Sequence, residues 1–478
     1  MLPFKFAALT AKAITGTAVS FDIGRLWWSR LIQVIFFLGI VYLTFKIVLR
    51  FADLNAARIV ALLTATSAGL VIQTHFLTAD VPVTFWMLSG FYAAQSIVFD
   101  PRPRTYVIAG LLVGVATATK YNGLAAGLAI PIFHWYANRQ QSVLRALLDR
   151  RLIVGVAMVV GGFVAANPYS IFDYRRFAAD FSYNYLVTPV YGGTDSYGFG
   201  TFLLAIPDIV GWPITVILGL SMVYSLWRLQ NADLPERATL AAALGVFALY
   251  FLQFGRAPRV EIRFVVPIVA FLLVLFAALG SIAVRRYERA TVAVVVALLA
   301  YNSLACVWVG KRFSEDPRMD AQAWVAANVP PHSTIESSQY TPHWNAFWGV
   351  DVVDMRMPSV SGRIGVLSHV FKADRSMMAQ ISERESDVGL EWYTAESLEA
   401  RHPQYIALDS KYYDRFLNED VAALDYPVVR DFLTALLANR LGYHRVYDRT
   451  AVSSPTWLYP GDIDFLDSQV IILRRDAG

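Results

Sequence analysis

The chain has 478 residues, of which 56% are hydrophobic and only 16% charged, with a formal net charge of +4. That balance excludes an assembly of ordinary water-soluble domains, in which about a quarter of residues are charged. No basic, aromatic-interleaved patch marks a nucleic-acid partner, and the single cysteine, Cys306, excludes both an intramolecular disulfide framework and a cysteine-based zinc site.

In chain order, Met1 to Arg30 mixes Lys5, Lys12, Asp22 and Arg25 among apolar residues and lacks the compact apolar core of a signal peptide. Apolar windows of roughly 20 residues, the length that crosses a bilayer as a helix, then predict about ten spans. They fall near 31–48, 57–76, 80–98, 105–119, 121–136, 152–172, 207–227, 238–254, 264–283 and 290–310. The windows 105–119 and 121–136 are short and are split by Lys120-Tyr121-Asn122-Gly123, which predicts a tight helical hairpin, with one long kinked span as the alternative. One alternate set of loops is rich in arginine, with Arg50, Arg58, Arg102, Arg104, Arg139, Arg145, Arg150, Arg151, Arg228, Arg237, Arg285, Arg286 and Arg289, and is assigned to the cytoplasm. An even number of spans then leaves both termini on the other side.

From Lys311 the chain becomes charged and turn-rich. A helix-like Met319 to Val329, a Pro330-Pro331 stop, and strand-like runs at Tyr405 to Leu408 and Val470 to Leu473 predict a small α/β domain. Its core would take the apolar face of Val428 to Leu441, with Phe432, Leu433, Leu436 and Leu437. The expected architecture is therefore mostly α: a transmembrane helical bundle over 1–310 and an extracytoplasmic α/β domain over 311–478.

On the outer face, charges interrupt this pattern at Asp80, at Lys120, and at Arg256, Arg259 and Arg263. Each has a plain structural reading. Asp80 fits a helix cap in Thr78-Ala79-Asp80-Val81-Pro82, Lys120 can snorkel to the headgroups, and Arg256 and Arg259 can sit on lipid phosphate. Taken together, the cations suit a phosphate or diphosphate group at the outer leaflet. Asp80, with His75 near it, suits orienting a sugar, binding a metal or taking a proton from an acceptor hydroxyl. His75 also reads as a packed interfacial histidine. With His75, the residues Tyr121, Tyr340 and His343 are the candidates to line the site.

Three spaced segments carry a resemblance. Thr78-Ala79-Asp80-Val81-Pro82 resembles a T-D-x-P motif, Gly110 to Gly123 resembles G-L-x-x-G-L-A-x-x-T-K-Y-x-G, and Arg263-Phe264-Val265-Val266-Pro267 resembles R-[YF]-x-x-P. These are motifs of the C-type-fold membrane glycosyltransferases, the superfamily of protein mannosyltransferases and lipid A aminoarabinose transferases. The run from Lys311 to Pro342 also looks like the start of their extracytoplasmic domain, so the likeness covers about residues 1–345. It implies transfer of a sugar from a polyprenyl-phosphate donor to a protein, lipid or polysaccharide acceptor on the extracytoplasmic face, among membrane lipids and with inversion at the anomeric carbon. By matched position, Lys120 and Arg263 would hold the donor phosphate and Asp80 would line the catalytic site. Arg256 and Arg259 match no motif and are donor-site candidates by location.

The chain departs from the family in one respect. Family members have an earlier span and an external loop with an acidic base, and Met1-Leu2-Pro3-Phe4-Lys5-Phe6 looks like the end of that loop. The expectation is a sequence that starts late, with transfer impaired if the loop is absent; Asp22 is a weak substitute for the base. Two other classes stay open: a transporter or flippase for a lipid-linked substrate, and a non-catalytic glycan-binding membrane subunit. No metal site is expected, because His332, His343, His369, His402 and His444 lack ligand spacing, although a divalent ion is left open as a cofactor.

Overall fold

The computed structural model describes residues 23–187, 198–256, 262–342, 344, 350–355, 390–417, 427–452, 455, 457–458 and 466–476. The chain divides into two compact units. The first comprises Met1–Phe172, Gly198–Cys306 and Thr456–Gly461, and the second Asp173–Tyr197, Val307–Pro455 and Asp462–Gly478.

The first unit is helical. Its main elements are α1 (Ile23–Leu49), α2 (Leu54–Ala65), α3 (Ala68–His75), α4 (Asp80–Gln95), α5 (Pro103–Thr119), a 3-10 helix (Tyr121–Leu128), α6 (Ala129–Ala137), α7 (Val143–Leu147), α8 (Arg150–Ala166), α9 (Trp212–Asn231), α10 (Leu234–Phe254), α11 (Ile262–Arg286) and the part of α12 (Glu288–Ser314) up to Cys306, its last residues from Val307 being counted with the second unit. Among the described residues, six helices are long and apolar enough to cross a membrane, or seven if the bent pair α2–α3 is one span. Every predicted window coincides with helix, but several are shorter or more broken than a single 20-residue rod. The window 57–76 breaks by 49° between α2 and α3, and α5 and α8 each stop at 17 residues. At the break Ser67 donates its hydroxyl to Ile209 O at 3.1 Å and the Cys306 thiol donates to Thr66 O at 3.2 Å, so polar groups released from the helix are satisfied inside the unit. On α9, Val216, Leu220, Val223 and Leu226 form an outward stripe at helical spacing, a face that suits lipid and not water.

α11 forms the centre of this unit, with Val265 to Ala278 buried along its length. It meets α4 through an edge-to-face pair, Phe91 standing 5.2 Å from Phe271, and Phe91 meets Phe133 of α6 in the same way at 5.3 Å. The closest packing is between α5 and α8, where backbones touch through glycine. A Cβ on Gly114 would lie 2.6 Å from Phe163 N and 2.7 Å from Gly162 Cα, and one on Gly110 would lie 2.8 Å from Met158 Cβ. Small residues are what allow membrane helices to approach this closely.

The second unit holds a five-stranded sheet of order β2-β1-β3-β5-β4, formed by β1 (Thr334–Ser337), β2 (Asp351–Asp354), β3 (Tyr405–Asp409), β4 (Tyr443–Thr450) and β5 (Gln469–Arg475). β1 pairs in parallel with β2 and β3, while β5 runs antiparallel to β3 and β4. The period-2 alternation of β3 and β5 makes two cores. Ile406, Leu408, Ile471 and Leu473 face Val429, Phe432, Leu433 and Leu436 of α16 (Pro427–Leu437), the helix expected over Val428 to Leu441. Ala407, Val470 and Ile472 face Ala321 and Val325 of α13 (Pro317–Asn328). Between these helices in sequence lie α14 (Ala395–Arg401) and α15 (Ser410–Leu417). Glu336 in β1 is buried and takes a bidentate pair from Arg401, whose guanidinium lies 3.8 Å from the Trp392 ring centroid.

Burial pushes the Asp409 carboxyl, 1% exposed at the end of β3, up to about 6, against the opposing effect of the Lys411 N–H that it accepts at 2.8 Å. An unfolded aspartate titrates near 4, so between about pH 4 and 6 the folded chain keeps a proton that the unfolded chain has lost. Stability of the second unit should fall as pH rises through that window. Asp409→Asn, which keeps the acceptor oxygen, should abolish the fall and stabilise by roughly 2 kcal/mol above pH 7, as read by denaturant melts of the whole chain followed from pH 4.5 to 7.5. In the helical unit, Gly114→Ala should destabilise by about 1–3 kcal/mol by overpacking. Gly219→Ala on α9, where a Cβ meets nothing within 4 Å, should be neutral or stabilising, both variants being compared with the unsubstituted chain by thermal melts in detergent.

Candidate functional site

α5 ends because Lys120 leaves helical geometry for an extended conformation, φ −156° and ψ 133°, while its N–H still bonds to Ala116 O at 3.0 Å. Gly123 then donates to Lys120 O at 2.8 Å and the chain turns back as a 3-10 helix. A Cβ on Gly123 would lie 2.5 Å from the Ala116 carbonyl carbon, and one on Gly127 would lie 3.3 Å from Val113 Cγ1. Farther back, the Tyr106 hydroxyl meets His134 Nδ1 at 2.6 Å. The pairs 116/123, 113/127 and 106/134 run in opposite directions, so 103–137 is an antiparallel hairpin with Lys120 at its apex.

The Lys120 ammonium donates to Asp80 Oδ1 at 2.5 Å. Asp80 is 2% exposed and Lys120 27%, so the pair is sheltered but one edge of the ammonium stays reachable. Asp80 is the first residue of α4, and the capping position belongs to Ala79, which corrects the cap reading. Its charge lies at the positive end of the helix dipole, a second source of stabilisation beside Lys120. Thr78 O accepts from Gln33 Nε2 at 2.8 Å, which ties the start of α4 to α1.

Phe264 brings the second cation to this place. Lys120 Nζ stands 5.1 Å and Arg263 Cζ 5.6 Å from the centroid of its ring. Phe264 in turn packs on Phe254 at 5.3 Å, and Phe254 on Tyr250 at 4.6 Å. The circuit closes through Asn122, whose Nδ2 donates to the buried Tyr250 hydroxyl. Two residues past Lys120, the hairpin is thus pinned to α10, while the ring of α11 borders the ammonium.

The structure brings together Asp80, Lys120 and Arg263, with Tyr121 next in the chain and partly exposed. His75 ends α3, and its Nδ1–H donates to Val71 O of its own helix at 2.9 Å. Arg256 is exposed in the turn after α10. Tyr340 belongs to the second unit, where it has a positive φ of 74° and packs against the core that contains Tyr393 and Tyr412. Arg259, His343, Asp22 and Met1 to Phe6 lie outside the described residues. Among the described residues no group of three or more His, Cys, Asp or Glu side chains could hold a metal ion. Sequence reasoning missed Asn122, Tyr250 and Phe264. The signal for Tyr250 was a phenol in the middle of an apolar window, since a buried hydroxyl at that depth needs a partner.

Residues 15–167 match the family model described as dolichyl-phosphate-mannose-protein mannosyltransferase. No curated protein matches the chain. Among solved structures, the oligosaccharyltransferase of Archaeoglobus fulgidus, tethered to an acceptor peptide, matches with a TM-score of 0.50 and 14% identity over 89% of this chain. The chain spans 63% of that protein's length. ArnT from Cupriavidus metallidurans, bound to undecaprenyl phosphate, matches with a TM-score of 0.47 and 12% identity over 93% of this chain and 84% of its own. The mycobacterial arabinofuranosyltransferase AftD matches with a TM-score of 0.44 and 14% identity over 99% of this chain and 35% of its own. Residues 15–167, the segment that carries Asp80 and Lys120, are thus similar to the dolichyl-phosphate-mannose-protein mannosyltransferase family, and the fold is similar to that of the Archaeoglobus oligosaccharyltransferase.

Proposed function

We propose that the chain transfers a sugar from a polyprenyl-phosphate donor to an acceptor hydroxyl at the extracytoplasmic surface of the membrane, with the second unit on that same side. The observation that carries this reading is the pair of cations around Phe264, Lys120 and Arg263, set against the single carboxylate of Asp80. That grouping suits a phosphate whose negative charge grows during the reaction. As the acceptor oxygen bonds to the anomeric carbon, the bond from that carbon to the phosphate oxygen breaks and the polyprenyl phosphate departs with the electron pair. Donors aimed at that developing charge in a sheltered site are where rate enhancement is largest.

Asp80 suits a positioning role better than that of the base. Its carboxylate is buried and already bonded to the ammonium, so it orients Lys120 and offsets its charge. The acceptor's proton goes to a different carboxylate in this scheme. Asn122 and Tyr250 support the arrangement by holding the residues after Lys120 against α10.

In membranes containing the full-length gene product, Lys120→Ala and Arg263→Ala should each lower transfer of radiolabelled sugar from a polyprenyl-phosphate donor by about 10²–10³-fold. Wild-type rates in both would overturn the mechanism. Folding is separable from chemistry by a double-mutant cycle. Lys120→Met alone leaves a buried carboxylate unpaired and should destabilise by about 2–3 kcal/mol, less than for a fully buried pair because the ammonium is partly solvated. Adding Asp80→Asn should restore most of the melting temperature in detergent without restoring transfer.

A further inference from the structure

The connection between α6 and α8 is built in a way the site does not require. α7 is a single short helix, yet it is held firmly from beneath. His134, buried at the end of α6, accepts at Nδ1 from the Tyr106 hydroxyl at 2.6 Å, which places its hydrogen on Nε2, and Nε2 donates to Ala146 O at 2.9 Å. Arg151 donates to Asn138 Oδ1 at 3.1 Å, to Pro101 O at 3.0 Å and to both oxygens of Asp149. Ala146 is the residue of α7 that turns inward, and it is 2% exposed.

On the outside, Val143, Leu144, Leu147 and Leu148 are 58%, 68%, 58% and 65% exposed. Arg139, Arg145 and Arg150 are exposed around them, and Asp149 is the acidic residue of this stretch, engaged by Arg151. A rigid platform that presents four aliphatic side chains inside a ring of guanidinium groups is poorly suited to water. It suits the boundary between headgroups and acyl chains. Two neighbours share that boundary: Trp135, exposed in the last turn of α6, is an interfacial side chain, and the exposed stripe Ile153, Val156 and Val160 continues along α8.

We propose that residues 139–150 lie in the headgroup layer of the membrane, with Val143, Leu144, Leu147 and Leu148 inserted to the acyl boundary and Arg139, Arg145 and Arg150 binding the phosphates of anionic phospholipids. The segment thereby anchors the open end of the hairpin, opposite the apex that carries Lys120. It does so independently of the chemistry at that apex.

The test uses the whole chain in vesicles of phosphatidylcholine with and without phosphatidylglycerol. An environment-sensitive fluorophore on Leu144→Cys, measured beside unsubstituted protein labelled only at Cys306, should be quenched by lipids brominated on the acyl chain and shielded from aqueous iodide. Full quenching by iodide with no effect of brominated lipid would overturn the insertion. The anionic preference is read by the ratio of phosphatidylglycerol to phosphatidylcholine retained by delipidated protein. Each of Arg139→Gln, Arg145→Gln and Arg150→Gln should lower that ratio by up to about fivefold, since a basic residue at an anionic surface contributes about 1 kcal/mol. An unchanged ratio in all three would overturn the headgroup assignment.

Discussion

Backbone-to-backbone contact around α5 sets the position of everything else at the site. Gly110 and Gly114 let α8 approach on one side, and Gly123 lets the returning chain lie on Ala116 on the other. A single added methyl at Gly114 or Gly123 would meet main-chain atoms, which cannot swing aside as side chains do. Lys120 stands where this three-stranded contact begins, at a residue whose extended conformation ends one helix and starts the return. The ammonium is placed by main-chain geometry, and its own side chain has little searching left to do.

With the apex placed, the remaining geometry follows from charge and from rings. A lysine in an apolar setting calls for a carboxylate, and Asp80 supplies it from the positive end of α4. The distance to the second cation is governed by aromatic contact. Phe264 lies against both cations and is itself stacked through Phe254 to Tyr250, which Asn122 ties back to the hairpin. Such a closed circuit of contacts resists distortion, which is the property that the proposed phosphate site depends on.

Much of this was legible from residues alone. Asp80, Lys120 and Arg263 stood out because they were charges at the ends of apolar windows, and the hairpin was legible from a charged, glycine-containing tetrapeptide between two short windows. In the second unit, α13, α16, β3 and β5 were readable because burial imposes a period on their sequences. β4 and β2 were not, since edge strands with mostly exposed, polar faces carry no such period. The number of continuous membrane rods was also hard to read, because hydropathy measures how apolar a window is and not whether the helix inside it breaks, as it does after Ala65. Asn122, Tyr250 and Phe264 escaped because their importance lies in each other, across segments far apart in the chain. The clasp of Tyr106, His134 and Arg151 escaped for the same reason.

The 3-10 winding of Tyr121–Leu128 has a consequence for depth. Eight residues at about 2.0 Å each and the nine of α6 at about 1.5 Å together reach about 30 Å, which matches a hydrocarbon core of about 30 Å. Wound wholly as α-helix, the same 17 residues would reach only about 25 Å, so the 3-10 turns add about 4 Å to the return leg. Tighter winding therefore acts as a spacer: it carries a short return leg farther per residue than an α-helix would.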